Sequence, residues 1–133
     1  MSAAASIQAA VVAALRARAE FAEVAVFDAP PVRAAAPYVV VDPPELRDVS
    51  AKGLVGRSGT IGVVLHDAGE RPVRLRELVG AVAEALEAVS GELGGGWRAI
   101  GFVLTRERVA RAAVRDRWIA MSEFAVRVWR VDG

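Results

Sequence analysis

The composition describes a small chain with little net charge and no cysteine. Its 133 residues carry a net charge of +1 and include one histidine. These numbers exclude disulfides and thiolate chemistry, disfavour a zinc site and leave no general attraction for nucleic acid or acidic membranes. No apolar run reaches the roughly 18 residues of a membrane span, and the N-terminus lacks the basic start of a signal peptide. A single soluble, cytoplasmic domain over residues 1–133 is expected.

The first part of the chain predicts a helix followed by two short strands. Large aliphatic residues recur at every fourth position near the N-terminus: Ile7, Val11 and Leu15. This period predicts a helix over residues 3–19. Prolines bound the next two segments, which predict strands from Val24 to Phe27 and from Tyr38 to Asp42. Residues 43–58 mix proline, glycine and polar residues and predict a mobile loop or an irregular edge.

The second part predicts a strand, a helix and two long strands. Alternating apolar residues predict a strand over residues 60–66. Helical spacing then relates six aliphatic residues: Leu75, Leu78, Val79, Val82, Leu86 and Val89. Pro72 suits the first turn of this amphipathic helix and Gly91 its C-terminal stop. Strands over residues 97–106 and 115–131 follow, with Ile100, Phe102 and Leu104 expected on one face of the first.

The last strand predicts a surface that needs a partner. Its first side carries Trp118, Ala120, Ser122, Phe124, Val126 and Val128. Its second side carries Ile119, Met121, Glu123, Ala125, Arg127 and Trp129. A sheet covered by helices on one side needs only one apolar face, and the hydrophobic fraction of 54% is high for a monomer of this length. We therefore expect an α+β fold, a mainly antiparallel sheet with two helices packed on one face, whose second face meets a neighbouring subunit.

Two patterns that could carry chemistry are weak. The segment from Gly53 to Gly59 has the glycines of a phosphate-binding loop, but it lacks the Gly-Lys-Ser/Thr end and leads into a strand. His66 and Asp67 are adjacent on a strand, so their side chains point to opposite faces, and no serine nucleophile is placed with them. The sequence thus predicts a protein that is not an enzyme, with no catalytic residues, cofactor or metal.

The arginines between residues 106 and 117 leave two interpretations open. They are Arg106, Arg108, Arg111, Arg115 and Arg117. Such a cluster could bind phosphate groups and make the chain a small nucleic-acid-binding module. However, Glu107 and Asp116 dilute the charge and no aromatic residues are interleaved for base stacking. Salt bridges in solvent or between subunits are the favoured interpretation.

Four segments, taken with the order of the elements, resemble a known family. They are Phe27-Asp28-Ala29-Pro30-Pro31, the run from Leu65 to Pro72, Gly95-Gly96-Trp97-Arg98, and the run from Ser122 to Arg127. They resemble the tail-completion (tail-terminator) proteins of long-tailed phages, most of all the versions carried by gene transfer agents. The matching elements extend over nearly the whole chain.

This resemblance implies a structural protein that forms a ring, usually a hexamer. Such a ring caps the tail tube, ends its polymerisation and joins the tail to the head connector or stopper. It implies as partners other copies of the chain, the tail tube protein and the connector, while DNA passes through the ring without sequence-specific binding. The protein would assemble in the cytoplasm and then belong to the neck of the particle, with no membrane contact. A head–tail connector or stopper role is the alternative among assembly proteins.

The expected contact residues come from the second side of the last strand and from basic positions. They are Ile119, Met121, Arg127, Trp129, Arg106, Arg108, Arg111 and Arg57. The loop over residues 43–58 and the connection over residues 106–117 are expected to dock neighbouring subunits or the tube.

Overall fold

Two helices and seven strands make up the structure, a computed structural model that describes residues 1–131. The helices are α1 (Ala3–Arg16) and α2 (Val73–Glu87), and a 3₁₀ turn lies at Ala19–Phe21. The strands are β1 (Ala25–Phe27), β2 (Tyr38–Val41), β3 (Glu45–Asp48), β4 (Leu54–Ala68), β5 (Gly91–Gly94), β6 (Trp97–Arg111) and β7 (Arg117–Val131). The predicted domain end at residue 133 lies outside the described residues.

All seven strands form one sheet in the order β1-β2-β4-β7-β6-β5, and β3 pairs with β4 beside β2. Among the strands within residues 1–131, only the β1–β2 pair is parallel. The long strands β4, β7 and β6 have 15 residues each and form the centre of the sheet. Antiparallel pairing suits this centre because β6 and β7 are joined by a tight turn. The predicted α+β class with a mainly antiparallel sheet is confirmed.

One face of the sheet packs against both helices. The helical residues that reach this core include Ile7, Val11 and Leu15 of α1 and Leu75, Val82 and Leu86 of α2. The sheet supplies Val39, Ile61, Val63, Leu65, Phe124 and Val128. The hydroxyl of Ser2 accepts a hydrogen bond from the amide of Ala5 at 3.1 Å, which caps α1. Both predicted apolar helix stripes therefore lie in one core.

Of the two predictions for residues 43–58, the mobile loop is wrong in two places, and the irregular edge is closer to the structure. Residues 45–48 form β3, and β4 already begins at Leu54. The glycines explain the difference, because a Cβ on Gly59 would clash with the carbonyl oxygen of Glu45. Glycine here lets two backbones approach closely. The segment from Gly53 to Gly59 is thus mostly strand, with Gly53 at φ 77° in the turn before it.

The prediction of an arginine-rich connection over residues 106–117 is also wrong in extent. Strand β6 continues to Arg111 and β7 begins at Arg117, so only residues 112–116 form the turn. Asp116 adopts φ 57°, and the amide of Ala112 donates to the carbonyl of Arg117 at 2.9 Å. Polar residues extend the ladder because the cross-strand partner, not the hydropathy of each residue, decides pairing at a solvated sheet edge.

Smaller differences concern the ends of the helices and one missed strand. Helix α1 ends at Arg16, and α2 begins at Val73 with Pro72 as its N-cap residue. Gly91 does not stop α2, because it opens strand β5, which pairs with the start of β6. Gly95 and Gly96, with φ of 64° and 82°, make the tight turn between β5 and β6.

Candidate functional site

The side of β4, β7 and β6 that points away from the helices is uncovered, and we call it the open face. Its apolar members include Val64, Ile100, Val103, Ile119, Met121, Ala125 and Trp129, and its charged members include Arg106, Arg108, Glu123 and Arg127. Within residues 1–131 no element packs over it, so Ile100 is 71% exposed, Val103 64% and Met121 47%. Several large apolar groups left in solvent on one face are typical of a contact surface. The second side of the last strand is therefore uncovered within a single copy.

A β-bulge decides which side chains of β6 join the open face. The pairing with β7 shifts between Ala99 and Phe102. Ala99 and Phe102 are both buried, whereas Ile100 between them points outward. The prediction that Ile100 shares a face with Phe102 is therefore wrong, because the one extra residue of the bulge breaks the two-residue alternation. Ile100 was missed as a surface candidate for this reason, whereas Val103 lies opposite Phe102 and Leu104 as simple alternation indicates and was not named.

Six of the eight predicted contact residues lie together on the open face. Four of them belong to β7: Ile119, Met121, Arg127 and Trp129. Arg106 and Arg108 pair in register with Glu123 and Met121, so they share this side of the sheet. A shallow groove of about 350 Å³ runs between Arg106, Arg108, Ala110, Ile119 and Met121. A second groove of about 250 Å³ is lined by Ser58, Ile100, Val103, Ala125 and Arg127.

The other two predicted residues lie elsewhere. Arg111 pairs in register with Trp118 on the opposite side of the sheet, and its guanidinium lies 5.0 Å from the centre of that ring. Arg57 also points to the opposite side and forms an ion pair with Asp48 at 2.7 Å. The five arginines of residues 106–117 are thus divided between two sides of the sheet and its turn. No single basic strip results from them.

The outer edge of β6 is a further unpartnered feature. Strand β5 pairs only with Trp97, Arg98 and Ala99 of β6, and in the part of the chain described by the structure no strand pairs with Phe102–Arg111 on that side. The opposite edge is treated differently. There the guanidinium of Arg16 donates to the carbonyl of Val26 at 2.7 Å, and Gln8 donates to the carbonyl of Asp28 at 2.7 Å. Side chains thus cap the β1 edge, while the β6 edge is free.

The ionisable residues at the end of β4 have structural partners. Burial disfavours the charge of Asp67, but the guanidinium of Arg74, the amide of Ala68 and the charge of Arg117 outweigh it and hold the pKa of Asp67 below its ordinary value. The Nε of Arg74 donates to Oδ2 of Asp67 at 2.9 Å. On the other side of the sheet, burial lowers the pKa of His66, whose ring stacks on Tyr38 with 4.5 Å between centres. The two adjacent residues therefore serve separate contacts.

Two other features are absent from residues 1–131. No group of three or more histidine, aspartate or glutamate side chains is placed to hold a metal ion there. Neither helix of this part of the chain combines the length and apolar character needed to cross a membrane.

An α+β domain with one sheet face and one sheet edge left uncovered has the surfaces of an assembly protein. The family described as tail completion protein gp17 has a model that matches residues 9–129, and this chain belongs to that family. It is thus a structural protein of phage-type tails. A chain of the solved structure titled "Virion of native gene transfer agent (GTA) particle" is similar over the full length of both chains, with 29% identity and a TM-score of 0.77. No curated protein sequence matches this chain.

Proposed function

We propose that this protein forms a closed ring that caps the tail tube of a phage-like particle and joins the tail to the head connector. The observation that carries the proposal is the open face, where Ile100, Val103 and Met121 remain exposed in a single copy. Family membership supports a place at the end of the tail. The similarity to a chain of a gene transfer agent virion supports a particle of that kind.

Closure into a ring follows from the need to cover the open face and the β6 edge. Exposed apolar faces and free strand edges lead to aggregation unless another chain covers them. Head-to-tail contacts with a closing rotation cover the same surface on every copy and leave no copy with a free end. We propose a hexamer as the closed form, which the resemblance to tail-terminator proteins favours.

A ring of this kind ends the growth of the tube by replacing its end surface. The face directed to the tube matches the last tube subunits, whereas the opposite face does not and instead receives the connector or stopper. DNA passes through the lumen without sequence-specific contacts, which agrees with a net charge of +1 and with arginines divided between two sides of the sheet. Assembly takes place in the cytoplasm, and the ring then stays in the particle.

Particles made without this protein test the proposal directly. We expect tails of uncontrolled length and tails without heads, viewed by electron microscopy, with normal tubes otherwise. Filled heads that lose their DNA while tails keep a uniform length would instead indicate the connector or stopper role and contradict tube termination.

A pair of matched variants tests whether the open face makes the contacts. Met121→Asp places a charge on the open face, and Val73→Asp places the same charge at the start of α2. The two side chains are almost equally exposed, Val73 at 49% and Met121 at 47%. We expect Met121→Asp to abolish ring formation with tube protein in analytical ultracentrifugation, while Val73→Asp assembles normally. Equal behaviour of the two variants would contradict a role for the open face.

A further inference from the structure

We infer that the ring is closed by a lateral contact between neighbouring copies. In it, the free edge of β6 in one copy binds a groove near the β1 edge of the next copy. The first surface, called the arginine edge, is this strand edge together with Arg106 and Arg108, which border it on the open face, and Arg111, which borders it on the opposite face. The second surface, called the acidic groove, lies between the 3₁₀ turn, the start of β1 and α2, and includes Glu20, Glu23 and Glu77. This inference rests on the proposed ring and names the two surfaces that meet in it.

The arginine edge has guanidinium groups without a carboxylate partner and backbone groups without a strand partner, although the guanidinium of Arg111 lies over the ring of Trp118. Within residues 1–131, no carboxylate oxygen lies within 4.0 Å of the guanidinium of Arg106, Arg108 or Arg111, whereas Arg18, Arg57 and Arg74 each form an ion pair. The three side chains are exposed. They lie on the segment of β6 whose outer backbone edge has no strand partner. A planar guanidinium binds carboxylates through two parallel hydrogen bonds.

The acidic groove offers the complementary charge on a concave surface. It has a volume of about 260 Å³ and includes Val24, Pro37 and Leu78 as apolar lining. Arg74 also lines the groove, but its guanidinium is bound to Asp67. Glu20 is bound to Arg18, and in the described part of the chain neither Glu23 nor Glu77 has an ion-pair partner. Two carboxylates are therefore available to an incoming arginine pair.

The register of the sheet places the two surfaces near its two opposite edges, the β1 edge and the β6 edge. Both surfaces lie at the same level along the strands. One row of paired residues crosses the sheet through Ala25, Tyr38, His66, Ile119 and Ala110. Glu23 lies two residues before one end of this row, and Arg111 is next to the other end. Four strand spacings of about 4.8 Å separate the two sides by about 19 Å. Because the two surfaces differ and lie near opposite edges of the sheet at the same level, copies that join through them are arranged head to tail. Contacts of this kind can close into rings.

A reciprocal charge exchange tests the contact. The edge variant carries Arg108→Glu and Arg111→Glu, and the groove variant carries Glu23→Arg and Glu77→Arg. Each alone places like charges at every contact, so we expect at least about a tenfold loss of assembled ring with tube protein. Mixed in equal amounts, the two variants restore opposite charges at every contact when they alternate, so we expect rings that contain them in a one-to-one ratio by native mass spectrometry.

The control carries Arg33→Glu and Arg71→Glu, which change the net charge as much as the edge variant but lie in the segment before β2 and in the turn before α2. It should assemble like the unchanged protein, and circular dichroism melting should report folded protein for all variants.

If the unchanged protein forms no ring with tube protein, the proposed function fails. If it forms rings and the edge variant matches the control, or if mixing restores nothing, the lateral contact is overturned while the ring remains. An edge variant that assembles normally but loses salt-dependent DNA binding would overturn the contact in favour of nucleic acid.

Discussion

The two faces of the central strands differ in what they contribute. Phe124 on β7 is fully buried under the helices, whereas Met121 on the same strand is 47% exposed on the open face. Both side chains are large and apolar, and they are only three residues apart. The covered face holds the domain together, and the open face remains exposed to solvent in a single copy. A strand with two apolar sides can thus contribute to stability with one side and leave the other for the assembly that we propose.

The largest expected difference between the faces concerns Phe124. Phe124→Ala leaves a cavity below both helices, which should lower the free energy of unfolding by about 3–5 kcal/mol. Chemical denaturation followed by circular dichroism measures this loss. Met121→Ala is the matched substitution on the open face and should cost far less. Similar losses for both would mean that the open face is covered in the isolated protein.

The second prediction concerns the buried carboxylate at the end of the covered face. Asp67→Asn removes the ion pair with Arg74, which is more than half exposed, so water screens part of the interaction. We expect a loss of about 1–3 kcal/mol at neutral pH in denaturation experiments.

The pH dependence of this ion pair follows from its lowered pKa. Because the pKa of Asp67 is lower in the folded protein, the stabilisation is fully present above the unfolded value of about 3.9 and is lost as the pH falls through the folded pKa. The Asn variant should therefore lose less stability on acidification than the unchanged protein. Parallel losses would assign the acid sensitivity to other carboxylates.

The third prediction has the opposite sign. Ser122 is fully buried on the covered face, and its hydroxyl has no hydrogen-bond partner among the described residues. Ser122→Ala removes an unsatisfied polar atom and keeps the backbone, so we expect a gain of up to about 1 kcal/mol in the free energy of unfolding. Ser58→Ala, on the opposite side of the sheet, serves as the control. A clear loss for Ser122→Ala would indicate that the hydroxyl has a partner after all, such as a buried water molecule.

The smallest expected effect on stability belongs to the open face. Met121→Ser should change the free energy of unfolding by about 0.5 kcal/mol or less, because the side chain is largely solvated already. The same variant should weaken assembly with tube protein, measured by sedimentation. The substitution at Met121 would then weaken assembly without changing the stability of the single copy. A large loss of stability without any loss of assembly would reverse the roles of the two faces.

Several elements could be predicted from the sequence because their signals are local. The spacing of Ile7, Val11 and Leu15 indicated α1, and the stripe from Leu75 to Leu86 indicated α2. The alternation along residues 117–131 indicated both sides of β7, including the one that stays uncovered. Periodicity of this kind reflects which side of an element is buried, so it can be read without knowing what buries it.

Other features depended on which strands meet, and the sequence contained no local sign of them. Polar residues such as Arg106 and Arg108 extend β6 only because β7 lies beside them, and Gly59 belongs to a strand because β3 approaches it. The bulge that turns Ile100 outward is a property of the pairing between two strands.

The amino-acid sequence by itself determined the class of the fold, the two helices and the double apolar character of the last strand. Only the tertiary structure decided that β6 has a free edge, that Arg57 and Arg111 lie away from the open face, and that acidic and basic surfaces occupy opposite sides of the sheet. The physical reason is that hydropathy is carried by each residue, whereas edges, registers and facing surfaces arise from contacts between residues far apart in the chain.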